Sequence, residues 1–463
     1  MIQEEGSSSG PSSPLEFLSW MQLSPGLGSP YVWLRDLKSE DRGLFLIRLI
    51  YACTNHVASG SIKNADTGLE FISHLASPVG DTVQRIATYF SEGLAYRMVK
   101  HLPGVYKALN STKISSISEE PLVQKLFFDL FPFLKLAYVI TNQAIIEAMD
   151  GEKIIHIIDL NSFEAAQWID IMRTLSGRPE GPPHLKITGI HERKEVLEKM
   201  AAHLTKEAED LRMPFQFNPV VSKLENVDVE SLGVKTGEAL AISSVLQLHS
   251  LLASDDEILE RNSPAASKNL QKVVHMKPRT LEEWIKVDMM NAYMPSPDSV
   301  SSPVSLSASP KMGSSLTALR NLSPKVMVVT EQESNLNGCN LMERVTEALH
   351  FYGALFDCLE STVSRTSIDR QKVEKMLFGE EIKSIIACEG VERKERHEKL
   401  EKWILRLEIA GFGRVPLSYH GMLLAKRLLY DGYNIKEENG CLVICWHERP
   451  LFSVSAWGLG RYD

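Results

Sequence analysis

The hydrophobic rhythm of this 463-residue chain changes at Gly151, and that change constrains its fold more than any other feature. From about residue 40 to residue 150, apolar residues recur three or four apart, the spacing of one helix face. Val83, Ile86, Ala87, Phe90, Leu94 and Met98 form such a stripe within Asp81–His101, behind the turn Ser77-Pro78-Val79-Gly80. Asp81 is suited to cap the helix that follows. Leu44, Ile47, Ile50 and Tyr51 form a similar stripe before Ala52–Val57. Leu122–Met149 is denser in apolar residues, and Pro132 should break or kink it.

After Gly151, short apolar runs alternate with helical stripes. Ile154-Ile155-His156-Ile157-Ile158 ends in Asp159, and helix-like sequence follows to about Thr174. Leu185–Ile190 is a second strand, leading into a helix striped at Val196, Leu197, Met200, Leu204, Ala208 and Leu211. Phe215–Val221, Ala239–Val245 and Lys325–Thr330 are further strands. Strands separated by helices imply a largely parallel sheet covered on both faces. The chain closes differently, with Cys441–Trp446 and Leu451–Ala456 joined by His447–Pro450 as a hairpin. The expected fold is therefore α/β: a Rossmann-like, methyltransferase-type core of mostly parallel strands ending in an antiparallel hairpin, with an N-terminal helical cap.

The expected division is an arm at 1–35 rich in Ser, Pro and Gly, a helical cap at 36–150 and the α/β core at 151–463. A second Ser/Pro-rich tract, 295–315, follows a helical stretch around 280–292 and reads as a surface loop. Both tracts carry Ser-Pro pairs, including Ser24-Pro25, Ser296-Pro297, Ser302-Pro303 and Ser309-Pro310. These read as linker composition; the sharper alternative is proline-directed phosphorylation, which would add negative charge to such segments.

The net charge of −9 argues against a protein that grips nucleic acid by bulk electrostatics. No run of eighteen apolar residues occurs, so no membrane span is expected. The N-terminus lacks a basic start followed by an apolar core, so no secretory signal is expected. Six cysteines in a chain without such a signal read as free thiols.

Nucleotide chemistry on this fold needs a glycine-rich turn after the first strand, so that backbone can approach the ligand. Here Asp159-Leu160-Asn161-Ser162-Phe163-Glu164-Ala165 contains no glycine, and Phe163 and Glu164 add bulk. Asp159 reads as a cap for the next helix rather than a cofactor ligand. Gly411-Phe412-Gly413 and Gly458-Leu459-Gly460 lack the remaining elements of that fingerprint. Glu192, beyond the second strand, is the strongest point for a ribose-binding role, although it equally suits a first helical turn.

Cys441, Cys445 and His447 would share one face of a strand by alternation, but zinc would need a fourth ligand and usually a tighter knuckle. His156 reads as a hydrogen-bonded core histidine. Leu248, Leu251 and Leu252 have the L-x-x-L-L spacing of a docking peptide, with core leucines as the plainer reading. Glu392–Lys399 reads as a solvated helix face with a Glu395–Lys399 pair. No catalytic residue, metal or cofactor is therefore assigned.

Several motifs resemble those of the GRAS family of plant transcriptional regulators. Ile155-His156-Ile157-Ile158-Asp159 resembles the VHIID signature, with Gln167-Trp168 downstream. Leu44–Lys100 and about 214–259 fit the flanking leucine-rich regions. Glu347–Tyr352, Leu355-Phe356-Asp357, Cys388-Glu389-Gly390 and Glu395–Glu398 resemble the PFYRE region, about 324–400. Ser455-Ala456-Trp457, preceded by Trp446, resembles the closing SAW motif within about 401–463. His56–Gly60 and Arg178–His184 look like the scarecrow-like three subgroup.

The resemblance implies a nuclear co-regulator, not an enzyme, tied to gibberellin responses. It implies partners among indeterminate-domain zinc-finger factors and other GRAS proteins, including the DELLA type, through homo- or hetero-association, with DNA reached indirectly. The rival readings are a direct sequence-specific DNA binder and a SAM-dependent methyltransferase.

Overall fold

The computed structural model describes residues 38–110, 120–253 and 310–460. Among the described residues, six helices precede the first strand: α1 (Ser39–Ala58), α2 (Ile62–Leu75), α3 (Thr82–Lys100), α4 (Pro103–Asn110), α5 (Glu120–Leu130) and α6 (Pro132–Ala148). Their ends follow local chemistry. Asp81 accepts from the Gln84 amide while the Gln84 side chain accepts from the Asp81 amide, a reciprocal cap that starts α3. Pro132 ends the preceding helix, as expected, and opens α6 at its first turn, where a missing N–H costs nothing.

The alternating region folds as β1 (Ile154–Asp159), α7 (Ala166–Ser176), β2 (His184–His191), α8 (Lys194–Asp210), β3 (Phe215–Val221) and β4 (Ala239–Val245). Next among the described residues come α9 (Pro310–Asn321), β5 (Val326–Gln332) and α10 (Leu341–Thr362). A continuous helical run follows, α11 (Ile368–Val373) joined through one π-helical turn (Glu374–Phe378) to α12 (Gly379–Ala387). The chain then forms α13 (Leu400–Ile409), β6 (Phe412–Val415), α14 (Tyr419–Lys426), β7 (Tyr433–Glu438), β8 (Cys441–Trp446) and β9 (Arg449–Leu459).

The strands make one sheet in the order β3-β2-β1-β4-β5-β9-β8-β7, with β6 also paired to β9. β3 through β5 run parallel, and β9 pairs antiparallel with β5 and with β8. The expected Rossmann-like core is present, and its terminal hairpin supplies the inserted antiparallel strand. β6 and β7 carry too little apolar pattern to be read from sequence. Alternate side chains enter two cores: Ile157, Ala241 and Val328 face the helical layer, whereas Ile158, Ile242 and Val329 face the opposite one.

The structure alters four expectations. The helical cap is not made by 36–150 alone, because α3 packs on α12, with Gly93 against Ile386 and Arg97 donating to the Ile386 carbonyl. α10 to α12 therefore complete the cap, and one apolar cluster runs through both halves of the chain. The expected loop at 295–315 stops earlier, since Pro310 already starts α9, again from a first helical turn. The rest of that tract, the stretch at 280–292, the arm at 1–35 and the serines of the Ser-Pro pairs lie outside the described residues. Glu392–Lys399 is not a solvated helix but an irregular strap that buries Arg393, Arg396, His397 and Glu398 and leaves Glu392, Lys394 and Lys399 exposed. His447 leaves β8 at positive φ, so it does not share a strand face with Cys441 and Cys445. Among the described residues, no helix is long and apolar enough to cross a membrane, and all six cysteines are free.

Candidate functional site

Parallel sheets place their functional crevice at the carboxyl ends of the strands, where the connections on either side diverge. Here that point lies between β1 and β4. A cavity of about 810 Å³ occupies it. Asn161 and Phe163 after β1, Leu246 and Gln247 after β4, and Gln332 at the end of β5 form its floor. Tyr96 and Lys100 from α3, Phe127 from α5 and Leu377 from the π-helical turn close it from the cap side.

The turn after β1 is built around Asp159. Its carboxylate accepts the Trp168 indole N–H at 2.8 Å and the Asn161 amide at 3.1 Å. It therefore ties α7 back onto the strand end instead of capping that helix. Burial pushes its pKa up, partly offset by these donors. Gln167 is buried beside it, and its carbonyl accepts from Asn142 on α6. Close approach is supplied by Gly189 on the neighbouring β2. A Cβ there would meet Ser162 Oγ at 2.7 Å and Phe217 Cζ at 2.8 Å. The small residue that closes this turn thus sits on another strand, which a linear motif search does not detect.

His156 is fully buried between Glu238 and Thr188, 2.8 Å from each. The Glu238 carboxylate only accepts, so Nδ1 carries the hydrogen, and Nε2 of the neutral ring accepts from the Thr188 hydroxyl. Burial, with Lys186 nearby, lowers its pKa to about 4 in spite of Glu238. Ile155, Ile157 and Ile158 are core residues. Leu248, Leu251 and Leu252 are buried under the opposite face of the sheet, where a partner would have to unfold the segment to reach them. Trp457 is buried with its indole N–H on Ser455 Oγ, Ala456 is buried beside it, and Trp446 donates to Asp357 on α10. Cys441 and Cys445 are buried, which raises each thiol to about 11. Glu192 is exposed, away from the cavity, and faces Lys223 at 3.9 Å.

The strap that brings Glu392, Lys394, Glu395 and His397 to the cavity differs from the sequence expectation. Arg393, Arg396, His397 and Glu398, expected in water, are each almost fully buried. Arg396 donates to the carbonyls of Arg393 and Gly390 and to Asn337, while Arg393 donates to the carbonyls of Leu336 and Gly338. Glu398 takes two hydrogen bonds from Arg406. Glu395 pairs with His397 rather than Lys399, which instead faces Glu347. The alternation of charges signalled this strap only ambiguously, because a charge run has the same composition whether water or backbone carbonyls neutralise it.

The strap carries His397 to His249, at the start of the helical turn after β4. Their rings lie 3.9 Å apart between centroids. Glu331 of β5 lies behind both. One oxygen accepts the amides of Gln247, Leu248 and His249, and the other lies 3.1 Å from His249 Nδ1 and 3.8 Å from His397 Nδ1. Burial disfavours a charge on Glu331, yet the two histidines hold it down at about 2. Burial likewise opposes a charge on His397, but Glu331 and Glu395 lift it to about 9.

Known proteins place this architecture. The chain is 63% identical to "GRAS family protein TF80" of Medicago truncatula over 93% of its length and 99% of that protein. It is 58% identical to "Scarecrow-like protein 3" of Arabidopsis thaliana, over 99% and 98% of the two chains. With "DELLA protein GAI1" of Vitis vinifera it shares 32% identity over 91% of its length, spanning 63% of that protein. The crystal structure of SCL7 from Oryza sativa superimposes with a TM-score of 0.69 at 26% identity, over 89% of this chain and 99% of that one. The GRAS domain family matches residues 46–458, from the first helix to the closing strand, and this chain belongs to that family.

Proposed function

We propose that the protein is a nuclear transcriptional co-regulator in gibberellin-linked growth, acting through protein interfaces with DNA-binding factors and not as an enzyme. The observation that carries this reading is the near end-to-end similarity to a Scarecrow-like protein, with DELLA proteins matching over nine-tenths of the chain. The partners that suit it are zinc-finger factors of the indeterminate-domain type and other GRAS proteins. Its net charge of −9 favours indirect over solitary contact with DNA.

Chromatin immunoprecipitation with and without the zinc-finger factors tests this. Promoter occupancy is expected to disappear when those factors are depleted. Sequence-specific binding of a duplex by the purified chain alone, at physiological salt, would overturn the indirect mode. The non-enzymatic reading draws support from the turn after β1, where Asp159 is committed to Trp168 and the Asn161 side chain to the Val245 carbonyl. Calorimetry with S-adenosylmethionine is expected to show no heat at millimolar ligand. Micromolar binding abolished by Asp159→Ala would contradict it.

A further inference from the structure

We infer that His249, His397 and Glu395 form a binding site for a divalent transition-metal ion, Zn2+ in the first instance, with an open coordination position facing the cavity. The argument begins with hydrogens. Glu331 and Glu395 only accept, and His397 lies between them, with Nδ1 toward Glu331 and Nε2 at 2.9 Å from Glu395. A neutral ring has one N–H for these two carboxylates. Whichever nitrogen carries it, the other sets a lone pair against an anion. His249 repeats the pattern, with Nδ1 on Glu331 and Nε2 at 3.8 Å from Glu395. The space between the two Nε2 atoms and the Glu395 carboxylate therefore calls for positive charge. Without a metal a proton supplies it, an imidazolium His397 facing both carboxylates beside the His249 ring 3.9 Å away, and a metal ion takes the place of that proton. One divalent ion satisfies both nitrogens and the carboxylate together.

The geometry suits such an ion. The three donor atoms lie within 4.8 Å of one another. Zinc bonds of about 2.0–2.2 Å bring tetrahedral donors to roughly 3.4 Å apart, a shift of side-chain torsions rather than backbone. Behind the ligands, Glu331 faces Nδ1 of both rings, the carboxylate–histidine support that orients metal-binding imidazoles. Three backbone amides hold Glu331 itself. The preceding residue, Leu246, lies at φ 51°, a costly backbone for a bulky side chain, and it turns the chain where these amides converge. Two histidines and one carboxylate are a common set for zinc and for other divalent transition metals. All three residues line the cavity, so water or an anionic group of a bound molecule can complete the coordination.

The test uses the purified full chain after treatment with a chelator. Co2+ is expected to bind in one equivalent, with the visible absorption of a four- or five-coordinate ion, and Zn2+ is expected to displace it. His249→Gln and Glu395→Gln should each weaken binding about 100-fold or more, with unchanged circular dichroism. Should His249→Gln fail to fold, Glu395→Gln, at a half-buried position, carries the comparison alone. Absence of saturable binding by the wild-type chain at micromolar metal would overturn the site. So would wild-type affinity in a folded Glu395→Gln variant, which would leave the cluster a proton-bound pair of histidines.

Discussion

At the scale of single residues, the buried polar groups of the β1 region are specific in what they require. His156 stays neutral in the folded protein, with a pKa of about 4 against an ordinary value of 6.5. The unfolded chain binds the extra proton first, so the contribution of this residue is fully present above about pH 6.5 and is lost as pH falls toward 4. The wild-type protein should lose about 2–3 kcal/mol across that interval through this group, and His156→Gln should flatten the slope. Chemical denaturation at stepped pH measures the difference. Asp159 and Trp168 form the second unit. Asp159→Ala strands a buried indole N–H, and Trp168→Phe strands part of a buried carboxylate, so each should cost about 1–3 kcal/mol. The double variant should cost clearly less than the sum, as groups sharing one hydrogen bond are coupled. Additive losses would show that the bond contributes little.

At the scale of elements, the two halves of the cap are held to each other by charge as well as by apolar packing. Arg85 on α3 reaches Glu360 on α10 at 2.8 Å and Glu374 in the π-helical turn at 3.2 Å. Arg370 on α11 binds the same two carboxylates. Partial burial would raise the Glu360 pKa, but hydrogen bonds from Arg365, Arg370 and Arg85 prevail and hold it at about 2, below its ordinary 4.5. A depressed carboxylate stabilises above its unfolded pKa, and that contribution fades as pH falls from about 4.5 to about 2. Glu360→Gln should therefore cost about 1–2 kcal/mol at pH 7, with the deficit shrinking over the acid interval. Thermal unfolding of both proteins along a pH series checks this. A deficit that persists at pH 2 would assign the effect to packing.

At the scale of the whole molecule, one apolar cluster joins segments more than two hundred residues apart, with Phe90 and Phe131 in the same core as Phe356, Phe378 and Ile386. A chain beginning at residue 151 would expose to water the sides of α10 and α12 that pack on the N-terminal helices. It should aggregate or lose cooperative unfolding; a soluble, cooperatively melting fragment would refute the shared core. Trp457, fully buried on the opposite face of the sheet, tests the other layer. Trp457→Ala should cost about 3–5 kcal/mol, the usual range for removing a buried tryptophan. Loss of partner binding at unchanged melting temperature would instead make this residue a direct contact.

Local pattern was enough to determine the parallel strands, the cap on α3 and the break at Pro132. These depend on periodicities and backbone rules that neighbouring residues carry by themselves. The missing glycine after β1 was legible for the same reason, as was the core character of His156 within an apolar strand. Tertiary structure alone decided which carboxylate meets which base. Asp159 met an indole instead of a helix amide, and Gly189 made room from another strand. Arg393 and His397 of the Glu392–Lys399 segment went inward because the carbonyls of Leu336 and Gly338 and the carboxylate of Glu331 were waiting there. A charge is buried or solvated according to what lies opposite it, and for Arg393 and His397 the carbonyls of Leu336 and Gly338 and the Glu331 carboxylate come from more than 50 positions away along the chain. The convergence of His249, Glu395 and His397 belongs to the same category: three unremarkable polar residues on two segments, made into a site by the strand order that brings β4 and β5 together.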